Sequence, residues 1–346
     1  MTQDNIKRVQ YRYNKSLSIA GSGNRVDREM REFTDADILA ARGAKNNVSS
    51  DRPYHLLVES ERSATGQVED VATVFLTGAE CPFRCLVCDL WKNTLDHSTP
   101  PGAITRQIHY AIKKLGPTPH IKLYNSSNFF DPRSVPRGDL PQVAPLLRSY
   151  KSVIVENHPR LVGRRCVEFQ QQIGTQLEIA MGLETSHAPT LQRLNKRMTI
   201  SDFSNACQFL VGHQIRVRTF ILLRPPDTTE LEGIQRAIAS IRFAFDCGVS
   251  CCSVIATRGG NGILDRLRKE NRFSSPRLRS LETVQQQAIQ FERGRVFADL
   301  WDLQGLAECP ACFDRRVQRM RRMNLTQRNE PAIECNRCDH SREPNA

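Results

Sequence analysis

The sequence predicts an α/β protein built on an open, partial (β/α)6 barrel, with an N-terminal extension and a small C-terminal appendage of zinc-ribbon type. Three observations predict it. From Val71 onward, short runs rich in β-branched residues alternate with stretches whose apolar residues recur at helical spacing. The links between them are short, which calls for parallel strands joined by right-handed crossovers. Six such units are too few for a closed eight-stranded barrel, so the sheet is expected to stay open. The expected divisions are 1–67 for the extension, 68–302 for the core and 303–346 for the appendage.

Taken in order, the first fifty or so residues are polar and irregular, broken by Gly21-Ser22-Gly23-Asn24. A short helix is expected over 35–41, where Thr34 and Asp37 have the spacing of a capping box. A strand over 55–58 leads into the core. The expected barrel strands are 71–77, 120–124, 152–155, 177–181, 217–223 and 251–256. Between them, Ile104, Ile108, Ala111, Ile112 and Leu115 make one buried stripe, and Leu231, Ile234, Ile238, Ile241 and Phe245 another.

In sheets of this kind, function gathers at the C-terminal strand ends. There the chain places Asn125, Ser126 and Ser127 after the second strand, Glu156 at the end of the third, and Gly182-Leu183-Glu184-Thr185 at the end of the fourth. Acids at the top of apolar strands are uncommon as purely structural groups. A plain Asx or Ser turn also accounts for 125–127. The glycine-rich link 257–262 matches neither a P-loop nor a dinucleotide fingerprint, and is either a close backbone approach to a ligand or a simple loop.

Composition narrows the class. The hydrophobic share of 39% and charged share of 25% are those of a soluble globular protein. No apolar run has the length of a membrane span, and the start Met1-Thr2-Gln3-Asp4-Asn5 lacks the apolar core of a signal peptide. The expected compartment is the cytoplasm, with no membrane partner. In that setting 12 cysteines suggest metal sites and buried thiols rather than disulfides. Cys166, Cys207, Cys247, Cys251 and Cys252 lie in apolar contexts and are expected to pack as small hydrophobes. The net charge of +12 favours anionic partners, RNA among them, without specifying one.

The remaining cysteines form two groups. Directly after the first barrel strand, Cys81, Cys85 and Cys88 are spaced C-x3-C-x2-C. Three thiolates on one loop can hold three corners of an iron–sulfur cube and leave the fourth iron open, whereas electron-transfer cubanes have four thiolates. A zinc loop or three unrelated thiols are the alternatives. This spacing after a strand resembles the radical S-adenosylmethionine (radical SAM) superfamily over about residues 71–299. The resemblance implies a [4Fe-4S] cluster on these cysteines, S-adenosylmethionine on its open iron, a 5′-deoxyadenosyl radical as the reactive species, and an electron donor such as flavodoxin or ferredoxin. It further implies that Asn125, Ser126 and Ser127 meet the methionine amino group, with Glu156 and Glu184 as additional polar contacts. The segment from Gly182 to Lys196 is similar to the corresponding part of oxygen-independent coproporphyrinogen oxidases and elongator-like radical enzymes. There a base twelve residues after the strand-end polar residue pairs with the methionine carboxylate, and Lys196 holds that position; a solvated cluster of Arg193, Lys196 and Arg197 is the plainer reading. Two departures stand out: Thr219 where relatives often carry an acid for the ribose, and Val87 where an aromatic is common.

The second group is Cys309-Pro310-Ala311-Cys312 and Cys335-Asn336-Arg337-Cys338, two C-x2-C knuckles that resemble a zinc ribbon. Structural zinc, a second cluster and no metal all remain open. Between the knuckles, Arg315, Arg316, Arg319, Arg321 and Arg322 recur along an expected helix, as a solvated face or a phosphate-binding one. Together these features loosely resemble RNA-modifying radical enzymes, including the radical subunit of archaeosine synthesis. A radical enzyme acting on a small molecule or a protein side chain, and a non-catalytic metal-bound RNA-binding or scaffold protein, are the rival readings.

Overall fold

Why the apolar runs become strands is plain from where their side chains go: alternate residues enter the layer beneath the helices, and the whole set pairs into one sheet. The computed structural model describes residues 33–339; the breaker at Gly21-Ser22-Gly23-Asn24 lies outside the described residues. The strands are β1 (His55–Arg62), β2 (Val68–Phe75), β3 (His120–Tyr124), β4 (Ser152–Glu156), β5 (Gln176–Glu184), β6 (Arg216–Leu223), β7 (Cys251–Ala256) and β8 (Arg295–Ala298). They form a single eight-stranded sheet in sequence order. β1 and β2 make an antiparallel hairpin, and every later neighbour pair is parallel.

The expectation of six barrel strands is therefore corrected to seven parallel strands plus an antiparallel edge. The seventh, β8, is only four residues long. The first expected strand also begins three residues earlier, because hairpin pairing with β1 extends it to Val68.

The helices are α1 (Asp35–Ala40), α2 (Ala103–Leu115), α3 (Leu140–Leu147), α4 (Arg164–Ile173), α5 (Ala188–Arg193), α6 (Ile200–Gly212), α7 (Glu230–Asp246), α8 (Ile263–Lys269), α9 (Leu278–Ile289), α10 (Pro310–Thr326) and the short α11 (Asn336–Asp339). Thr34, Thr199 and Thr229 each close a capping box, with Asp37, Asp202 and Glu232 answering from the third helical position. The stripe on α2 is buried at Ile104, Ile108 and Ala111. That on α7 is rotated from expectation: Gly233, Ala237, Ser240, Ile241, Ala244 and Phe245 face inward, while Leu231 is 64% exposed.

The sheet curls. Glu61 of β1 reaches Arg218 of β6 at 2.5 Å, and Arg218 Nε lies 2.6 Å from Glu178 of β5. Arg295 of β8 pairs with the same Glu178 at 2.9 Å, and Lys122 of β3 lies 2.6 Å from Glu61. Residues so far apart in strand order can meet only across a concave face. Burial alone would raise the Glu178 pKa, but Arg218 and Arg295 outweigh it and hold the carboxyl at about 2. The network fills the N-terminal end of the barrel with paired charges, as burial of ions requires.

The far edge is closed by side chains. Asn324 and Gln327, at the end of α10, exchange amide hydrogen bonds with the backbone of Ala298 and Val296: Asn324 Oδ1 accepts from Ala298 N at 2.9 Å, and Gln327 Oε1 accepts from Val296 N at 2.6 Å. Their amide NH2 groups return bonds of 2.9 and 3.0 Å to the carbonyls of the same two residues. This satisfies edge groups that would otherwise invite another strand.

Candidate functional site

The cysteine loop emerges from β2 and is held on every side. Leu86 N donates to Leu194 O at 2.9 Å, and Asn261 Nδ2 donates to Leu86 O at 2.8 Å. Thus the glycine-rich link braces the cysteine loop. From the other side Glu80 is clamped by Arg42 at 2.7 Å, Lys45 at 2.8 Å and Arg84 at 3.0 Å. Arg42 also lies over the Trp91 ring, 4.7 Å from its centre. Val87, the departure before Cys88, packs with Leu86, Leu194, Leu222 and the apolar face of α8.

Cys81, Cys85 and Cys88 lie partly exposed on this loop, unpaired with one another. Burial pushes the Cys81 and Cys85 thiols up to about 11 and Cys88 to about 12, while the Lys196 ammonium acts in the opposite direction on all three. Asn128 Nδ2 donates to Cys81 Sγ at 3.1 Å.

The loop after β3 supplies the next group. Ser126 takes a left-handed backbone, φ 53°, and the turn aims successive N–H groups at Glu156. Asn125 N donates to Glu156 Oε1 at 2.6 Å, joined by the amides of Ser126 and Ser127. Burial nonetheless prevails and pushes Glu156 up to about 7. Ser126 Oγ meets Tyr54 OH at 2.8 Å. Among the described residues, Asn125 Oδ1 and Ser127 Oγ are buried without a hydrogen-bond partner, which leaves two polar atoms at this rim able to meet a ligand.

At the end of β5 the register slips between Gly182 and Glu184, and Glu184 adopts φ 65°. The bulge turns its carboxylate toward Lys196, whose Nζ lies 2.7 Å from Glu184 Oε1. Gly182 leaves room for the pair to sit where it does: an added Cβ would lie 2.2 Å from Glu184 Oε1 and 2.6 Å from Lys196 Nζ, so the two side-chain ends would have to move aside. Burial opposes the Lys196 charge, but Glu184 and Cys85 more than compensate and raise its pKa. Lys196 is therefore buried, not part of a solvated cluster with Arg193 and Arg197. Thr219 is committed elsewhere, donating to Met181 O at 2.7 Å and accepting from Leu183 N at 3.3 Å within the bulge.

Sequence reasoning missed Asn128 and His158. His158 stacks on Phe83 at 3.7 Å and 16°, accepts from Arg160 N at Nδ1, and meets Lys196 O at 3.0 Å through Nε2. A polar residue at a strand end was the available signal for both.

The second cysteine group converges. The sulfurs of Cys309, Cys312, Cys335 and Cys338 all lie within 4.8 Å of one another, close enough to hold one metal ion. Of the five arginines between the knuckles, Arg316 and Arg319 are not a solvent face. They are buried, and both pair with Glu282 of α9, at 2.5 and 2.8 Å. Arg319 also binds the carbonyls of Glu330 and Pro331, while Arg315, Arg321 and Arg322 stay exposed.

No family model matches the chain. Among curated proteins it is 22% identical over 211 residues to an uncharacterized protein of Methanocaldococcus jannaschii, covering 57% of each chain. It is 24% identical to the archaeosine synthase subunit beta of Thermococcus kodakarensis over 148 residues, 40% of this chain and 46% of that one. It is also 24% identical to the same subunit of Methanosarcina acetivorans over 237 residues, 62% of this chain and 66% of that one. The C-x3-C-x2-C spacing directly after the first parallel strand resembles that of radical SAM enzymes. The chain spans about half to two thirds of the length of the curated relatives it matches. Similar solved structures include methylornithine synthase, with TM-score 0.49, 14% identity and 80% of each chain covered. The archaeal Elp3 of Methanocaldococcus infernus has TM-score 0.48 and 13% identity over 64% of this chain and 59% of that one. Among the described residues, no helix is long and apolar enough to cross a membrane.

Proposed function

We propose that the chain binds a [4Fe-4S] cluster through Cys81, Cys85 and Cys88 and cleaves S-adenosylmethionine reductively at the C-terminal rim of the barrel. The observation that carries this reading is the cysteine loop's contact with the loop after β3, through Asn128 and Cys81 at 3.1 Å, and with the field of the buried Lys196–Glu184 pair, beside two polar atoms, Asn125 Oδ1 and Ser127 Oγ, that have no partner among the described residues. When bound and reduced by its electron donor, the cluster would supply one electron to S-adenosylmethionine, whose carbon–sulfur bond breaks to give methionine and a 5′-deoxyadenosyl radical for hydrogen abstraction.

The residues then have separable tasks. Asn125, Ser126 and Ser127 offer polar contacts to the methionine amino group, and Glu156 fixes their turn by accepting their backbone N–H groups. Lys196 carries the positive charge for the methionine carboxylate, and Glu184 holds its ammonium until that carboxylate arrives. Glu80, clamped by Arg42 just after α1, and Asn261 keep the loop in register. An electron donor such as flavodoxin or ferredoxin completes the system.

For the second cysteine group we favour zinc. Two thiolates at corners of a tetrahedron about 2.3 Å from the metal lie about 3.8 Å apart. The Cys309–Cys335 and Cys312–Cys338 sulfurs are 3.9 and 3.6 Å apart. A cubane would bind each thiolate to a different iron and spread them further.

The proposed substrate is RNA. The similarity to archaeosine synthase subunits and the exposed Arg315, Arg321 and Arg322 support it. Comparing modified nucleosides in RNA from cells with and without the gene tests it: one nucleoside should disappear, and an unchanged profile would favour a small-molecule substrate.

A further inference from the structure

We propose that Asn128 is a positioning residue that sets the reduction potential of the cluster through the sulfur of Cys81; this rests on the cluster assignment above. Asn128 is 2% exposed, and its Nδ2 donates to Cys81 Sγ at 3.1 Å. Which end of the amide faces the sulfur is settled by its other bond. Asn128 Oδ1 accepts from the backbone N–H of His158 at 2.7 Å, so the NH2 group is the end left for the thiolate.

The donor is held rigidly. His158 is fixed to Asn128 by that bond, to the cysteine loop by its stacking on Phe83 at 3.7 Å, and to the Lys196 segment by the 3.0 Å contact of Nε2 with a carbonyl. The carbonyl can only accept, so Nε2 carries the hydrogen; Nδ1 accepts from Arg160 N at 3.2 Å, which fixes the same tautomer. Phe83 lies between Cys81 and Cys85 in the loop that the amide serves. Among the described residues, neither Cys85 nor Cys88 receives a side-chain hydrogen bond at its sulfur, so the donor acts on one corner of the site.

Hydrogen bonds to ligand sulfurs are among the factors that set cluster potentials. An N–H directed at a thiolate withdraws electron density and stabilises the more negative, reduced form. Buried at low dielectric, the effect is stronger than at a surface. Asn128 therefore raises the potential and eases electron entry.

The test uses the full chain, reconstituted anaerobically, with redox titration followed by visible absorption and electron paramagnetic resonance. Asn128→Asp retains an acceptor for His158 N–H but turns a carboxylate toward the sulfur; Asn128→Leu removes both bonds. Both variants are expected to keep wild-type iron content. Their potentials should shift to more negative values, Asn128→Asp further than Asn128→Leu, and the iron–thiolate bands in resonance Raman spectra should move. Unmoved potentials at wild-type iron content overturn the proposal. So does loss of iron from both variants, which would make Asn128 a scaffold of the loop. A wild-type chain that binds no cluster overturns the underlying assignment and this proposal with it, whereas a wild-type cluster with unmoved variants overturns this proposal alone.

Discussion

Lys196 and Glu184 meet at 2.7 Å over the backbone of Gly182, each with about a tenth of its side chain exposed. The pair closes the end of β5 and puts a cation within electrostatic reach of all three loop cysteines. Its geometry depends on a β-bulge, a left-handed glutamate and a missing Cβ, so its loss should be felt in both folding and binding.

Lys196→Met leaves Glu184 buried without a counter-ion. It should cost about 3 kcal/mol of stability, and adding Glu184→Gln should return part of that. Thermal unfolding of the single and double variants measures both. Equal losses would mean that the pair is not coupled.

Glu156 gives a pH dependence. Its folded pKa is raised from 4.5 to about 7, chiefly by burial. Folding thus favours the protonated carboxyl, and this contribution is fully present below 4.5 and lost as pH rises through about 7. Glu156→Gln lacks the term. The variant's melting temperature should gain on wild type as pH rises through that window, and parallel curves would contradict the shift.

The tail metal should be separable from the loop cluster. Cys335→Ala breaks the four-sulfur group, so bound zinc falls and the tail loosens, while the visible absorption of the cluster persists. Metal analysis and the absorption spectrum read the two sites independently. Loss of the visible band in this variant would tie the tail cysteines to a cluster.

The tail arginines divide by burial. Arg319→Ala leaves Glu282 without one of its two partners and should lower stability by about 3 kcal/mol. Arg315→Ala with Arg321→Ala should leave the melting temperature near wild type, weaken RNA binding and flatten its salt dependence. Filter binding at two salt concentrations checks this.

Much of the fold was legible because buried parallel strands have little sequence freedom. The runs at 120–124 and 251–256 were found to the residue, since both are flanked by turns and filled with apolar or β-branched side chains. β8 was missed as a strand because its four residues carry too little pattern. The arginine helix was misjudged for a readable reason: Cys312, Arg316, Arg319, Met320 and Met323 share one face at helical spacing, and that face is the buried one. At the rim, the acids and the lysine could be located by strand ends. Their pairing depends on a bulge no local pattern announces. The Asn128 bond to Cys81 joins residues 47 apart in the chain and comes from the fold alone.

The central claim is reductive cleavage of S-adenosylmethionine at the Cys81, Cys85 and Cys88 loop. Anaerobic reconstitution with iron and sulfide, followed by dithionite and S-adenosylmethionine, tests it by chromatography of the products. Wild type should form 5′-deoxyadenosine and methionine, and Cys81→Ala should form neither and hold less iron. No 5′-deoxyadenosine from wild type, together with iron content unchanged in Cys81→Ala, would contradict it.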